Sequence, residues 1–350
     1  MVRVWMIAAV ITMVGTLLAA CRSDGSGSAA HSAVRPTLDA QALTAEDGVR
    51  LPVHAWKPDG EVRAIAVVAH GMNDYGASFA PPARRWALSG IATYAIDQRG
   101  FGRAAERGRW YGGDRMADDL LALARLLREG NPGTPLFLLG ESMGAAVAVL
   151  AAGRAEPGLL DGLVLSAPAI WGSGPRAEVT YAAAMALSAV APSATVPPLS
   201  VNNPSTDDPD VLKRLREDTL IIHRTRLDTL AGIVALMRSA RQKAASVRLP
   251  TLVLLGDLDG HVPRDGVAAL LRRLPPPDGA PGTTLALYER GRHLLMRSLN
   301  GDRVTDDVAA WMLAPGRPLP SGADARAKGC PALVRAPGRG CSLDQVAGMR

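Results

Sequence analysis

The sequence predicts an α/β fold, a mostly parallel sheet with helices on both faces. Three observations carry that reading. From about residue 41 to residue 312, short apolar runs alternate with amphipathic stretches. One apolar run leads into Gly140-Glu141-Ser142-Met143-Gly144, which has the pattern G-x-S-x-G, and a small apolar stretch follows it. Residues 171–247 break the alternation with helical stretches and no strand of the core type. Apolar strands joined through helices imply parallel pairing with both faces covered.

The elements follow in order. Residues 41–45 and 50–57 read as two strands joined at the turn Glu46-Asp47-Gly48, and this opening pair need not be parallel. Residues 63–70 are a buried strand, 79–89 a helix and 92–97 a strand. Residues 114–129 place apolar side chains at helical spacing. Residues 136–139 lead into the G-x-S-x-G turn, and 162–166 are the next strand. Residues 251–255 form a strand behind Pro250, 266–274 a helix, 284–288 a strand and 303–312 a closing helix. Within the interruption, residues 180–190, 211–216 and most of 226–245 read as helical, around a Pro/Ser/Asn loop at 192–209. An insertion at that point sits above the strand C-terminal ends and reads as a lid. The alternative is a bulge without a substrate role.

The chain has 350 residues, enough for one large α/β domain or two small ones. It is 48% hydrophobic but only 4% aromatic, so its core must rest on Ala, Val and Leu. The net charge is +6. Like charges do not run together and basic residues do not interleave with aromatics, which argues against nucleic acid as a partner. A solvated basic surface is preferred to a weak attraction for anionic lipid head groups.

The ends of the chain read differently from its middle. Arg3 and the uncharged apolar run 4–20 resemble a signal peptide, because the run is shorter than the ~20 residues of a spanning helix. The run ends Leu18-Ala19-Ala20-Cys21, which looks like a bacterial lipobox. That resemblance implies a signal peptide over 1–21, a lipid on Cys21, a flexible tether over 22–39 and a place in the cell envelope. Arg22 after the cysteine points weakly to the outer membrane. The rival readings are secretion with cleavage nearer Ala30, or an uncleaved anchor. Cys330 and Cys341 lie in a Pro/Gly/Arg-rich tail, 314–350. They either pair in an oxidising compartment or remain free thiols.

The chemistry centres on Ser142. A G-x-S-x-G run between a strand and a helix is the setting of a nucleophile elbow. Small residues are needed two positions before and after the serine, and Gly140 and Gly144 supply them. The Met143 amide, at the helix N-terminus, can face a developing oxyanion. Ser142 needs a base, and the base needs an orienting acid. Of six histidines, His31 lies in the tether, His54 in an early strand, His70 before the elbow and His223 in the insertion. His261 stands two residues after Asp259, too close to work with it across a loop. His293, in the loop after the last strand, is therefore the candidate base. Asp259 is preferred to Asp257 as the acid, because it lies three residues past Gly256, where the loop turns back. Asp257 reads as a loop-capping carboxylate. The loop after the third strand offers Gly71 for close backbone approach and the Met72 amide as second oxyanion donor. His70 reads as a structural hydrogen-bonding residue.

These residues resemble the α/β-hydrolase superfamily. His70-Gly71-Met72, Asp97-Gln98-Arg99-Gly100-Phe101-Gly102, the elbow, and residues 256–263 with His293 carry the likeness over residues 40–313. More narrowly they resemble its monoacylglycerol lipase and lysophospholipase branch, whose domain is related to serine aminopeptidases. The resemblance implies an eight-stranded sheet, a lid before the acid-bearing strand, and no cofactor or metal. It implies a triad of Ser142, Asp259 and His293, with Met72 and Met143 at the oxyanion hole. The expected activity is cleavage of carboxylic esters, monoacylglycerols or lysophospholipids, through an acyl-enzyme. Two departures stand out. Arg103-Ala104 end a D-x-R-G-x-G-x-S pattern without its serine, in a loop that is structural in the family. The lid matches only loosely, through Asp218-Thr219-Leu220-Ile221. A peptidase on the same fold is the first alternative, needing an acidic pocket for which Asp207, Asp208 and Asp210 are the local candidates. A catalytically inactive binding lipoprotein is the second.

Overall fold

The computed structural model describes residues 34–172, 174–197, 203–274 and 282–328. The expected signal peptide, Cys21, most of the tether, Cys330 and Cys341 lie outside the described residues. The strands are β1 (Thr37–Leu38), β2 (Ala42–Thr44), β3 (Arg50–Trp56), β4 (Ala64–Ala69), β5 (Ile91–Ile96), β6 (Leu136–Glu141), β7 (Gly162–Ser166), β8 (Thr195–Val196), β9 (Thr225–Arg226), β10 (Thr251–Gly256) and β11 (Thr283–Tyr288). The helices are α1 (Ala80–Leu88), α2 (Gly113–Gly130), α3 (Met143–Ala152), α4 (Pro175–Val190), α5 (Pro209–Glu217), α6 (Leu227–Lys243), α7 (Arg264–Leu271), α8 (Gly301–Leu313) and α9 (Ala323–Lys328).

One sheet runs in the order β1-β2-β3-β5-β4-β6-β7-β10-β11. From β5 to β11 every pairing is parallel, whereas β1, β2 and β3 join antiparallel at one edge. The eight expected strands are present, and β1 adds a ninth. Its two residues are too few to carry an alternation pattern, and they fall in the stretch read as tether. The described fold also continues past residue 313, where Leu319 and Ala323 are buried against Trp311 and Val308.

Alternation along the buried strands assigns side chains to two cores. In β4, Ile65, Val67 and Ala69 face one core while Ala64, Ala66 and Val68 face the other. In β6, Leu136 and Leu138 face the first, and Phe137 and Leu139 the second. Helices α2, α3, α6 and α7 cover the first face, and α1 and α8 the second. Each fully buried Leu or Val contributes roughly 1.5–3 kcal/mol, so the scarcity of aromatics does not starve the core. The large aromatics are concentrated on the second face, where Phe137 meets Trp311 edge-on at 5.9 Å. Trp86 donates to the Thr305 carbonyl at 2.9 Å there. All ten residues of α3 are buried, which explains its small, wholly apolar composition and its lack of a polar stripe.

Residues 171–247 stand between β7 and β10, as expected for the insertion. They hold α4, α5 and α6 and the small antiparallel pair β8–β9. Ile233, Leu236 and Ala240 of α6 join the first core. By contrast, Val179, Leu187 and Val190 of α4 are exposed.

Buried charge secures the β5–α2 loop. Arg99, 4% exposed, forks onto Asp119 at 2.7 and 2.8 Å and onto Asp47 at 2.8 and 2.9 Å. It thereby ties that loop to α2 and to the β2–β3 turn. Asp97 accepts from His54 Nε2 at 3.0 Å and from the Gly76 and Arg103 amides at 2.8 and 2.9 Å. The loop is held in this way without the serine that its motif lacks. Removing one partner of a buried pair leaves an uncompensated charge. Arg99→Met is therefore expected to lower unfolding free energy by about 3–5 kcal/mol, read by urea denaturation. A loss of less than about 1 kcal/mol, the range of exposed pairs, would contradict the role given to this pair.

Candidate active site

The parallel sheet delivers its loops to one edge, and register decides which of them meet. Ala69 of β4 is level with Gly140 of β6, and Glu141 is level with Ser166 of β7. Gly256 of β10 is level with Tyr288 of β11. The loops after β4, β6, β10 and β11 therefore emerge side by side at the strand C-terminal ends.

Ser142 occupies the turn between β6 and α3 with φ 55° and ψ −114°. A positive φ is unfavourable for a residue with a side chain and persists only where its surroundings enforce it. The Ser142 amide donates to the Ser166 carbonyl at 2.9 Å, and its carbonyl accepts from the Ala169 amide at 3.1 Å. The flanking glycines make the turn possible. A Cβ at Gly140 would lie 2.3 Å from the Gly144 carbonyl oxygen, and a Cβ at Gly144 would lie 2.1 Å from that of Ala69. The expected need for small residues at both positions is thus met by direct backbone contact.

The loop after β4 passes beside the serine. A Cβ at Gly71 would stand 3.4 Å from Ser142 Cβ, so Met72 begins its course next to the elbow. Fully buried His70 fixes this approach. Its Nδ1–H donates to the Gly71 carbonyl at 2.8 Å, and its Nε2 accepts from the Gln98 amide at 3.1 Å. Both ring nitrogens are used, so His70 is structural, as its position suggested. Burial holds its pKa below the ordinary value.

His293 and Asp259 meet between the last two loops. His293 Nδ1–H donates to Asp259 Oδ2 at 2.9 Å, and both side chains are buried. Asp259 Oδ1 accepts from the His261 amide at 2.8 Å. Burial alone would raise the Asp259 pKa. The hydrogen bond and charge of His293, with the His261 amide, outweigh it and keep the carboxyl below its usual range. Asp257 instead lies at the loop base, where its amide donates to the Tyr288 carbonyl, and burial raises its pKa. Nδ1 being committed to Asp259, Nε2 remains as the basic nitrogen of His293.

Two features were not legible in the sequence. The His261 ring stands 4.8 Å from the His293 ring, and its pKa is lowered by burial and by His293. The other is a buried ion cluster. Arg297 Nη2 lies 2.6 Å from Asp74 Oδ2 and 2.6 Å from Glu141 Oε1, with all three side chains at least nine-tenths buried. Burial works against the Arg297 charge, and the two carboxylates more than offset it, holding its pKa above the ordinary value. The available signals were slight: Glu141 adjoins Ser142, and Arg297 follows His293 by four positions.

The insertion is fastened to both sides of this site. Asn73 donates to Thr225 Oγ1 at 2.7 Å, and Tyr75 donates to Asp218 at 2.6 Å. On the histidine side, the Leu294 amide donates to the Ser205 carbonyl at 2.8 Å, and Thr206 donates to the Arg297 carbonyl at 2.6 Å.

The sheet order, the strained serine turn and the histidine–carboxylate pair define an α/β-hydrolase. Residues 60–300 match the family model described as serine aminopeptidase, S33, and the chain belongs to that family. It is 29% identical over 283 residues to a monoacylglycerol lipase of Mycolicibacterium smegmatis, covering 80% of this chain and 99% of that protein. It is also 29% identical to human monoglyceride lipase over 285 residues, 78% of this chain and 88% of that one. A solved monoglyceride lipase from Saccharomyces cerevisiae, bound to a substrate analog, shares the fold with a TM-score of 0.66 at 18% identity. That match covers 82% of this chain and 98% of the other. The chain is a serine ester hydrolase of the lipase and esterase type.

His70 gives the site a pH signature. Its folded-state pKa lies below 6.5, so in the range between the two values the unfolded chain binds a proton that the folded chain does not. Stability therefore falls as pH drops from 6.5 toward the lowered folded-state value. In a folded His70→Gln variant this slope flattens, with a remainder from His261. An unchanged slope of unfolding free energy against pH between about 6.5 and 5 would contradict the buried, neutral state of His70.

Proposed function

We propose that this chain hydrolyses monoacylglycerols through an acyl-enzyme on Ser142. The observation that carries the reading is the buried Asp259–His293 pair, held in loops at the same end of the sheet as the serine in its elbow turn. In this reading His293 Nε2 takes the Ser142 hydroxyl proton as the oxygen attacks the ester carbonyl. The amides of Met72 and Met143 receive the oxyanion. Asp259 fixes the His293 tautomer and stabilises its cation. The imidazolium returns the proton to the leaving glycerol oxygen. Water, deprotonated by the same nitrogen, then releases the fatty acid.

The substrate class rests on two supports. Relatives aligned over most of the chain are named monoacylglycerol or monoglyceride lipases. The insertion also presents apolar side chains outward from α4, with Val179 69%, Leu187 58% and Val190 87% exposed, a surface suited to lipid. We read the insertion as a lid over the acyl chain, and the Leu-Ala-Ala-Cys21 run as a lipid anchor that holds the enzyme at a membrane. Lysophospholipids remain the second substrate class. Two of the three carboxylates on which a peptidase reading would rely are engaged by backbone amides. Asp208 caps α5 by accepting from the Asp210 and Val211 amides at 2.8 and 3.1 Å, and Asp207 accepts from the Leu299 amide at 3.0 Å.

A substrate panel tests the reading. Long-chain monoacylglycerols should exceed short-chain esters, lysophospholipids of equal chain length and aminoacyl amides by roughly tenfold or more in kcat/KM. Faster turnover of aminoacyl amides would favour the peptidase. Equal turnover of short and long acyl chains would remove the acyl-binding role of the lid.

A further inference from the structure

We propose that Arg297 is a positioning residue, which holds the oxyanion loop against the nucleophile elbow by bridging Asp74 and Glu141. The inference rests on the serine hydrolase reading above and extends it to a residue outside the triad.

The geometry is a three-way junction. Asp74 belongs to the loop after β4, three residues past Gly71. Glu141 ends β6 and immediately precedes Ser142. Arg297 closes the short 3-10 turn Leu295–Arg297, after His293. One guanidinium nitrogen, Nη2, reaches both carboxylates at 2.6 Å. Thus a single atom joins the loops that bear Met72, Ser142 and His293.

Asp74 is further engaged within the oxyanion loop, and Glu141 stands close to it. Asp74 accepts from the Tyr75 amide at 2.8 Å and from the Ser78 hydroxyl, and its own amide donates to the Gly71 carbonyl at 3.3 Å. Glu141 Oε1 lies 3.9 Å from where a Gly71 Cβ would be. A carboxylate that close to Gly71 would repel a developing oxyanion unless a cation offset it. Two buried carboxylates share one guanidinium, and Glu141 Oε2 is buried without a hydrogen-bond partner among the described residues. Arg297 therefore fixes the loop and offsets the negative charge beneath it. Both effects act on the transition state rather than on substrate binding.

The test is a double-mutant cycle on the full chain with a long-chain monoacylglycerol, or whichever ester proves the best substrate. Arg297→Gln is expected to lower kcat by roughly tenfold or more with KM shifted by less than about threefold. Arg297→Lys, which keeps the charge, should retain more of kcat. Adding Glu141→Gln to Arg297→Gln removes one unpaired carboxylate and should recover at least about threefold in kcat. If Arg297→Gln alone does not fold, the double variant, with one buried charge fewer, still reports: its kcat should remain below wild type. A folded Arg297→Gln enzyme with wild-type kcat, a loss confined to KM, or no recovery in the double variant would each overturn the proposal. An inactive wild type would instead overturn the hydrolase reading itself, so the two failures are distinguishable.

Discussion

The site depends on one constraint, the positive φ of Ser142 at the end of β6. A side chain in that region of backbone space costs of order 1–3 kcal/mol, and the surrounding fold must hold it there. It does so through contacts too close for any Cβ: Gly140 against Gly144, and Gly144 against Ala69. The same turn starts α3, whose first amide belongs to Met143. The presentation of Ser142 and the placing of a helix N-terminus next to it are therefore two results of a single backbone reversal.

Several buried charges of this protein stand where loops meet the elements they join. Arg99 joins the β5–α2 loop to α2 and to the β2–β3 turn, while Asp97 gathers His54 and the amides of Gly76 and Arg103. Arg297 does the same at the site edge. Loops cannot satisfy their backbone through ladder hydrogen bonds, so buried ion pairs take over the task of fixing them. Such pairs are a weak source of net stability but a strong penalty when one partner is lost. They suit places where geometry matters more than free energy.

Much of this was legible in the sequence because it obeys local periodicity. The strands of the parallel sheet announce themselves as apolar runs, and the order of Ser142, Asp259 and His293 follows from which loops succeed which strands. The loop turns Asp259 back onto His293 Nδ1 and leaves Asp257 at its base. What was not legible lacks local pattern. β1 is two residues long, and α9 lies in a Pro- and Gly-rich stretch where six residues give too little periodicity. The partners of Arg297 are 156 and 223 positions away, counted from Glu141 and Asp74, and no spacing rule connects them. The ring contact between His261 and His293 depends on how two loops fold back, which no strand pattern records.

The central claim is that Ser142 is an activated nucleophile. Reaction with a fluorophosphonate, followed by peptide mass spectrometry, tests it most directly. The account predicts a single phosphonyl adduct on the peptide carrying Ser142, absent when Ser142→Ala is treated in the same way. A folded wild-type protein that takes up no label, or an adduct that persists in Ser142→Ala, would contradict it.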